Sequence, residues 1–131
     1  FFHKSLPLKF VENQVRSIDI LPTILEILKI PIDPNYEKFD GQSLIPILHG
    51  DETPRISFSQ SGNPLDSGKP PKKPNVWAIR TDDWKFILNI HDGTEELYDL
   101  KNDPNENHNL INLKKDISEK LRLKLKEFTS K

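Results

Sequence analysis

Neither cysteine nor methionine occurs among the 131 residues. Without cysteine the chain can build no disulfide framework, thiolate metal site or cysteine nucleophile, and its redox compartment stays open. Without methionine, a sequence that opens at Phe1 lacks the residue with which translation starts, so it reads as a fragment, a domain or a processed product. A dominant charge is missing too. The 19 basic and 20 acidic residues leave a net charge of -1, which supplies no global field to hold a nucleic-acid backbone, and nucleic acid is not an expected partner. No apolar run approaches the roughly 18 residues of a membrane-spanning helix. Phe1-Phe2-His3-Lys4 opens no recognisable signal peptide, so no membrane partner is expected and the compartment is unassigned.

What is present is a set of periodic apolar segments, which argues for a folded chain of single-domain size with one modest core. Ile20, Ile24 and Ile27, with Leu21, Leu25 and Leu28 beside them, give a helix a broad apolar stripe. Asp19 is the better candidate for its N-cap, Pro22 is tolerable only in the first turn, and Pro31 stops the helix near Lys29. Ser43 to Leu48, interrupted by Pro46, predicts a brief helical turn ending at Gly50. Asp51 to Arg55 marks a boundary, Ile56 to Gln60 can form a strand, and the proline-rich run from Ser61 to Asn75 reads as a long surface loop.

Val76 to Arg80 and Trp84 to Asn89 predict a hairpin whose register can be argued. An even-length turn puts Trp77, Ile79, Trp84, Phe86 and Leu88 on one face and sets Arg80 opposite Lys85. That like-charge pairing costs ~0.2 to 1 kcal/mol, whereas a slip by one residue leaves large apolar side chains in water at roughly 1.5 to 3 kcal/mol each. The hydrophobic term wins. Glu95 to Asp99 makes a further strand after Asp92-Gly93, and Asn102-Asp103-Pro104 breaks it. A last helix lines up Ile117, Leu121, Leu125 and Phe128, with lysines largely elsewhere as a solvated face. The fold class is therefore α+β: a small antiparallel sheet of about four strands packed by a C-terminal helix.

Ordered along the chain are Asp19, Pro22-Thr23, Gly41, Ser43-Leu44, Arg80, Lys85, Leu97-Tyr98-Asp99-Leu100, Asp103-Pro104, Glu106 and Asn109-Leu110. Together they resemble the C-terminal end of the sulfatase family, within the alkaline phosphatase superfamily. The resemblance implies that residues 1–50 are the remnant of an α/β catalytic domain, contributing its last helix, and that residues 51–131 form the C-terminal subdomain. It also implies a parent enzyme, periplasmic or secreted, that cleaves the sulfate ester of a small molecule or sugar with formylglycine and calcium. Formylglycine arises in a Cys/Ser-x-Pro-x-Arg motif, which this chain lacks. No catalytic or metal-binding residue is assigned, and the chain alone is expected to be inert. Two other readings stay open: a phosphonate monoester or phosphodiester hydrolase of the same superfamily, and a non-catalytic module that binds carbohydrate or protein.

The chemistry-bearing residues themselves favour structural roles. His3, His49, His91 and His108 stand singly beside turns, without a partner at ligand spacing. Asp82-Asp83 fits a polar hairpin turn, and Trp77 and Trp84 fit a core better than a sugar-stacking platform. Lys69, Lys72 and Lys73, in the proline-rich loop, are the candidate substrate-rim cations for an anionic ester. Finally, the helix from Asp19 to Lys29 is apolar around most of its surface, while the parallel sheet that the resemblance implies for it lies upstream, which predicts self-association through the helix or a rearranged N-terminal segment.

Overall fold

The computed structural model describes residues 10–33, 35, 38–51, 53–62 and 74–130. After a 3-10 turn (Ser17–Asp19) come α1 (Ile20–Ile27), α2 (Ile45–Leu48), β1 (Ser57–Ser61), β2 (Val76–Arg80), β3 (Trp84–Asn89), β4 (Glu95–Asp99) and α3 (Lys115–Thr129). The four strands form one antiparallel sheet in the order β1-β2-β3-β4, so the architecture is the α+β arrangement read from the sequence. The chain divides into two compact units, Phe1–Arg55 and Ile56–Lys131.

In the first unit, Pro22 falls in the first turn of α1, where its missing N–H forfeits no helical bond. The helix ends by a left-handed residue rather than by proline alone. Lys29 has φ 53, and the N–H groups of Lys29 and Ile30 reach back to the carbonyls of Glu26 and Leu25 at 3.1 and 2.9 Å. That closure usually recruits glycine, and here lysine adopts it. Asp19 occupies the N-cap position, but its carboxylate makes no cap hydrogen bond. Its backbone is helical (φ −78, ψ −13) instead of extended, because the 3-10 turn already runs into α1. Asp19 thus holds the expected N-cap position, but its carboxylate closes a capping box on the 3-10 turn, accepting from the Arg16 N–H, and does not cap α1 itself. Helix α2 carries Pro46 in its first turn and stops at Gly50, whose φ of 99 suits a residue without Cβ.

In the second unit, the β2–β3 register pairs Trp77 with Leu88, Ile79 with Phe86 and Arg80 with Lys85. That is the register in which the apolar set shares a face. Strand β1 begins one residue later than expected, at Ser57, while Ile56 packs against the core. Ile79, Phe86 and Leu97 from three adjacent strands meet Leu121 and Leu125 of α3, all buried, and Trp77, Trp84, Leu88, Leu110 and Ile117 pack around them. Each such side chain contributes roughly 1.5 to 3 kcal/mol by leaving water. Phe128 ends the apolar stripe of α3 by stacking on Phe58, ring centroids 4.0 Å apart and parallel. Arg122 leaves the basic face to grip Glu95 of β4 with two hydrogen bonds of 2.6 and 2.5 Å, its guanidinium 5.8 Å from the Phe86 ring centre. The paired, bidentate geometry fastens helix to sheet.

Candidate functional site

Two side-chain frameworks, one in each unit, gather the residues of the ordered sequence pattern. In the first, Asp19 is fully buried. Its carboxylate accepts from the Arg16 backbone N–H at 3.1 Å, from Arg16 Nη2 at 2.8 Å and from the Gln42 N–H at 2.9 Å, and Arg55 Nη1 lies 3.0 Å from Oδ2. Burial pushes the carboxyl up, but the hydrogen bonds from Arg16 and Gln42 outweigh it and hold Asp19 below the usual carboxylate range. Thr23 Oγ1, also buried, donates to the Asp19 carbonyl at 2.5 Å and accepts from the Leu44 N–H at 2.9 Å. Arg55 donates from Nη1 and Nη2 to the carbonyls of Gln42 and Ser43 at 3.0 and 2.8 Å. Gly41 completes the clasp, since a Cβ there would lie 1.9 Å from the Ile18 carbonyl oxygen. Asp19, Thr23, Gly41, Ser43 and Leu44 thus together bind the 41–44 loop to the start of α1.

In the second framework, Asp103 Oδ1 accepts from Asn107 Nδ2, and Oδ2 accepts from the His108 N–H at 2.8 Å and lies 3.2 Å from His108 Nδ1. Glu106 takes the left-handed conformation, φ 57, and meets Lys85 Nζ at 2.6 Å. The like-charge pairing of Arg80 with Lys85 is offset in this way, although both partners of the Lys85–Glu106 pair are partly exposed and the bridge contributes at most about 1 kcal/mol. Asn109 Oδ1 accepts from the N–H groups of Leu97 and Ile111, and the Leu110 N–H donates to the Leu97 carbonyl at 2.8 Å. These contacts occupy the outer edge of β4, so the segment before α3 covers one border of the sheet.

Tyr98 donates its hydroxyl to Glu96 Oε2 at 2.5 Å. That hydrogen bond, with burial and the surrounding carboxylates, raises the phenol to about 12. The folded value lies above the unfolded one, so the contribution to stability is present below pH 10 and is lost as pH rises through about 12. Absorbance titration of tyrosinate should show one residue ionising near 12; in Glu96→Gln that step should move back towards the ordinary tyrosine value.

The remaining candidates separate cleanly. Lys69, Lys72 and Lys73, the substrate-rim residues, lie outside the described residues, as does His3. Asp82 and Asp83 form the exposed turn between β2 and β3, and the Asp83 carbonyl accepts from Leu100 N–H. Trp77 and Trp84 pack against the core. His108 belongs to the Asp103 turn, and among the described residues no three His, Cys, Asp or Glu side chains converge as metal ligands. The sequence reading missed Arg16 and Arg55. Arg16 carries a local signal, being three residues before Asp19, whereas nothing near Arg55 announces burial.

Residues 3–131 match the sequence family described as "N-sulphoglucosamine sulphohydrolase, C-terminal". The chain belongs to this family. Uncharacterized sulfatase YidJ of Escherichia coli K12 is 34% identical to it over 104 residues, covering 77% of this chain and 19% of that protein. Arylsulfatase K of Gallus gallus is 33% identical over 102 residues, covering 73% of this chain and 18% of that protein. The chain therefore spans about a fifth of the length of these relatives. A candidate sulfatase of Bacteroides thetaiotaomicron, solved as a crystal structure, superposes with a TM-score of 0.68 and 25% identity over 86% of this chain and 24% of that one.

Proposed function

We propose that the chain is the C-terminal part of a sulfuric ester hydrolase that acts on a sulfated sugar or a similar small ester, and that it holds structure while other residues of the enzyme perform the chemistry. The observation that carries this reading is the family match over residues 3–131, whose described product class is a sulfohydrolase of a sulfated amino sugar. The frameworks support it. Asp19, Arg16 and Arg55 are consumed by one another, and Asp103, Glu106 and Lys85 by local partners, so none of these is disposed to attack an ester or hold a cation. Calcium and formylglycine remain the proposed cofactors of the whole enzyme. Among the described residues no three His, Cys, Asp or Glu side chains converge, and the sequence lacks the Cys/Ser-x-Pro-x-Arg motif in which formylglycine arises, so both groups are assigned to the rest of the enzyme.

The test uses the 131-residue chain with an aryl sulfate and calcium, beside the same polypeptide extended upstream by its natural coding sequence. Sulfate release from the extended protein and none above blank from the chain is the expected result. Turnover by the chain alone would overturn its reading as inert, and an extended protein that hydrolyses phosphonate or phosphate diesters but no sulfate would overturn the substrate class.

A further inference from the structure

We infer that the Asp92–Gly93 bond is a site of isoaspartate formation that becomes reactive when the β3–β4 turn opens, and that Asn89 and Thr94 hold it shut in the folded chain. An Asp–Gly sequence is open to this reaction because the second residue has no Cβ to hinder its nitrogen. The Gly93 nitrogen attacks Cγ of Asp92, the new N–Cγ bond closes a cyclic imide, and the amide proton leaves with the carboxyl hydroxyl as water. Water then adds to the main-chain carbonyl of Asp92 and breaks its bond to nitrogen, so the chain runs on through Cγ. No cofactor or partner takes part, and the residues around the bond decide the rate.

The turn engages both reacting groups. The Gly93 N–H donates to the Asn89 carbonyl at 2.9 Å, which ties the nucleophile back into the turn. Asp92 Oδ1 accepts from the Thr94 N–H at 2.9 Å and from the Thr94 hydroxyl at 2.7 Å, and Oδ2 accepts from Asn89 Nδ2 at 3.2 Å. Ring closure has to break these bonds, because Cγ must swing from Thr94 and Asn89 towards the Gly93 nitrogen. The Thr94 hydroxyl and N–H also hold the carboxyl below the usual carboxylate range, so it stays ionised, the form from which water leaves least readily. The other Asp–Gly bond, at Asp40 and Gly41, is restrained by packing instead, with Gly41 set against the Ile18 carbonyl. Isoaspartate at Asp92 would lengthen the main chain inside the turn, beside the 2.9 Å bond from the Asn89 N–H to the Thr94 carbonyl that closes the hairpin. The pairing that continues to Leu88 and Glu95 loosens with it.

Ageing of the full chain at neutral pH, beside a synthetic peptide of residues Phe86 to Lys101, tests this. Tryptic digestion releases the same peptide from the chain, and its isoaspartate is counted by methyl transfer from labelled S-adenosylmethionine with an isoaspartyl methyltransferase. The free peptide should form isoaspartate at Asp92 at least about tenfold faster than the folded chain, since each hydrogen bond of the turn is worth roughly two- to tenfold in rate. Thr94→Val, which removes the hydroxyl and keeps the backbone bonds, should speed the reaction in the chain at least about twofold and leave the free peptide unchanged. Thr94→Ser keeps the hydroxyl and should stay at the parent rate, and far-UV circular dichroism checks that each variant is folded. Equal rates in chain and peptide, or a folded Thr94→Val chain no faster than its parent, would overturn the guarding role of the turn. A free peptide that forms no isoaspartate would overturn the site itself. The guard is built from residues 89–94 alone, so its failure would leave the sulfatase reading untouched.

Discussion

Asp19→Ala should release the 41–44 loop from the start of α1 and cost about 3–5 kcal/mol, the range for removing one member of a buried ion pair. The size of the effect comes from what the substitution leaves behind. Arg55 is 7% exposed and points Nη1 at the missing carboxylate, and the Gln42 N–H loses its acceptor at the same time. A buried cation left without its counter-charge is costly even though Arg55 keeps the Gln42 and Ser43 carbonyls. Asp19→Asn should recover little, because the amide keeps one oxygen for Gln42 but offers no charge to Arg16 and Arg55. Both tryptophans, Trp77 and Trp84, lie in the second unit, so fluorescence is the wrong probe. Hydrogen exchange at the Gln42 and Leu44 amides reads the clasp directly, and each should exchange at least about a hundredfold faster in Asp19→Ala. Unchanged protection would show that the loop is held without the carboxylate.

The same carboxylate sets an acid limit. Its folded pKa lies below the ordinary aspartate value of 3.8, so the unfolded state takes up the proton first. The stabilisation is present above that value and is lost as pH falls through the lower, folded one. Glu95 behaves alike: the hydrogen bond from Arg122 holds it below 4.5 against the opposing effect of burial. Acid therefore loosens both units through carboxylates that accept from arginine.

These carboxylates also mark where the sequence was legible and where it was not. The hairpin could be read because its information is local. A two-residue alternation, large apolar residues at Trp77, Ile79, Phe86 and Leu88, and an even turn together leave one register in which the core closes. Asp103 was legible only as part of the break after β4; that its carboxylate accepts from Asn107 and His108 is a finding of the structure, although both partners lie within five residues. Asp19 misled because an aspartate ahead of an apolar helix looks like a cap whether or not it caps. The residue that overrides that preference, Arg55, is distant in sequence and becomes a neighbour only once the loop folds. Lys85 and Glu106 were visible as members of a pattern, but their contact depends on the left-handed turn at Glu106, which side-chain periodicity does not encode. The stacking of Phe58 on Phe128 likewise joins the first strand to the last helix and has no local trace. Family kinship was legible from the ordered pattern of residues along the chain, without any of these contacts being known.

Gly41→Ala should be nearly as damaging as loss of Asp19, at about 3 kcal/mol, the upper end of the usual cost of overpacking, and for a different reason from most glycine substitutions. Gly41 does not occupy the left-handed region, so alanine meets no intrinsic backbone penalty. Where nothing obstructs, removing a glycine from such a conformation stabilises by about 0.4–1 kcal/mol through the unfolded chain. The obstruction here decides the sign. The new methyl would lie 1.9 Å from the Ile18 carbonyl oxygen and 2.6 Å from its carbon, and both are backbone atoms that no rotamer change can move. The loop must retreat, which stretches the Gln42 N–H to Asp19 and the Leu44 N–H to Thr23 bonds, now 2.9 Å each. Gly93→Ala supplies the contrast: open space surrounds it, but φ is +71, so the cost should be the roughly 1 kcal/mol of a left-handed alanine. Exchange at Gln42 and Leu44 should accelerate in Gly41→Ala and stay unchanged in Gly93→Ala. If the Gly41 variant instead matched the parent chain, the close approach of loop and helix start would not be what makes glycine necessary there.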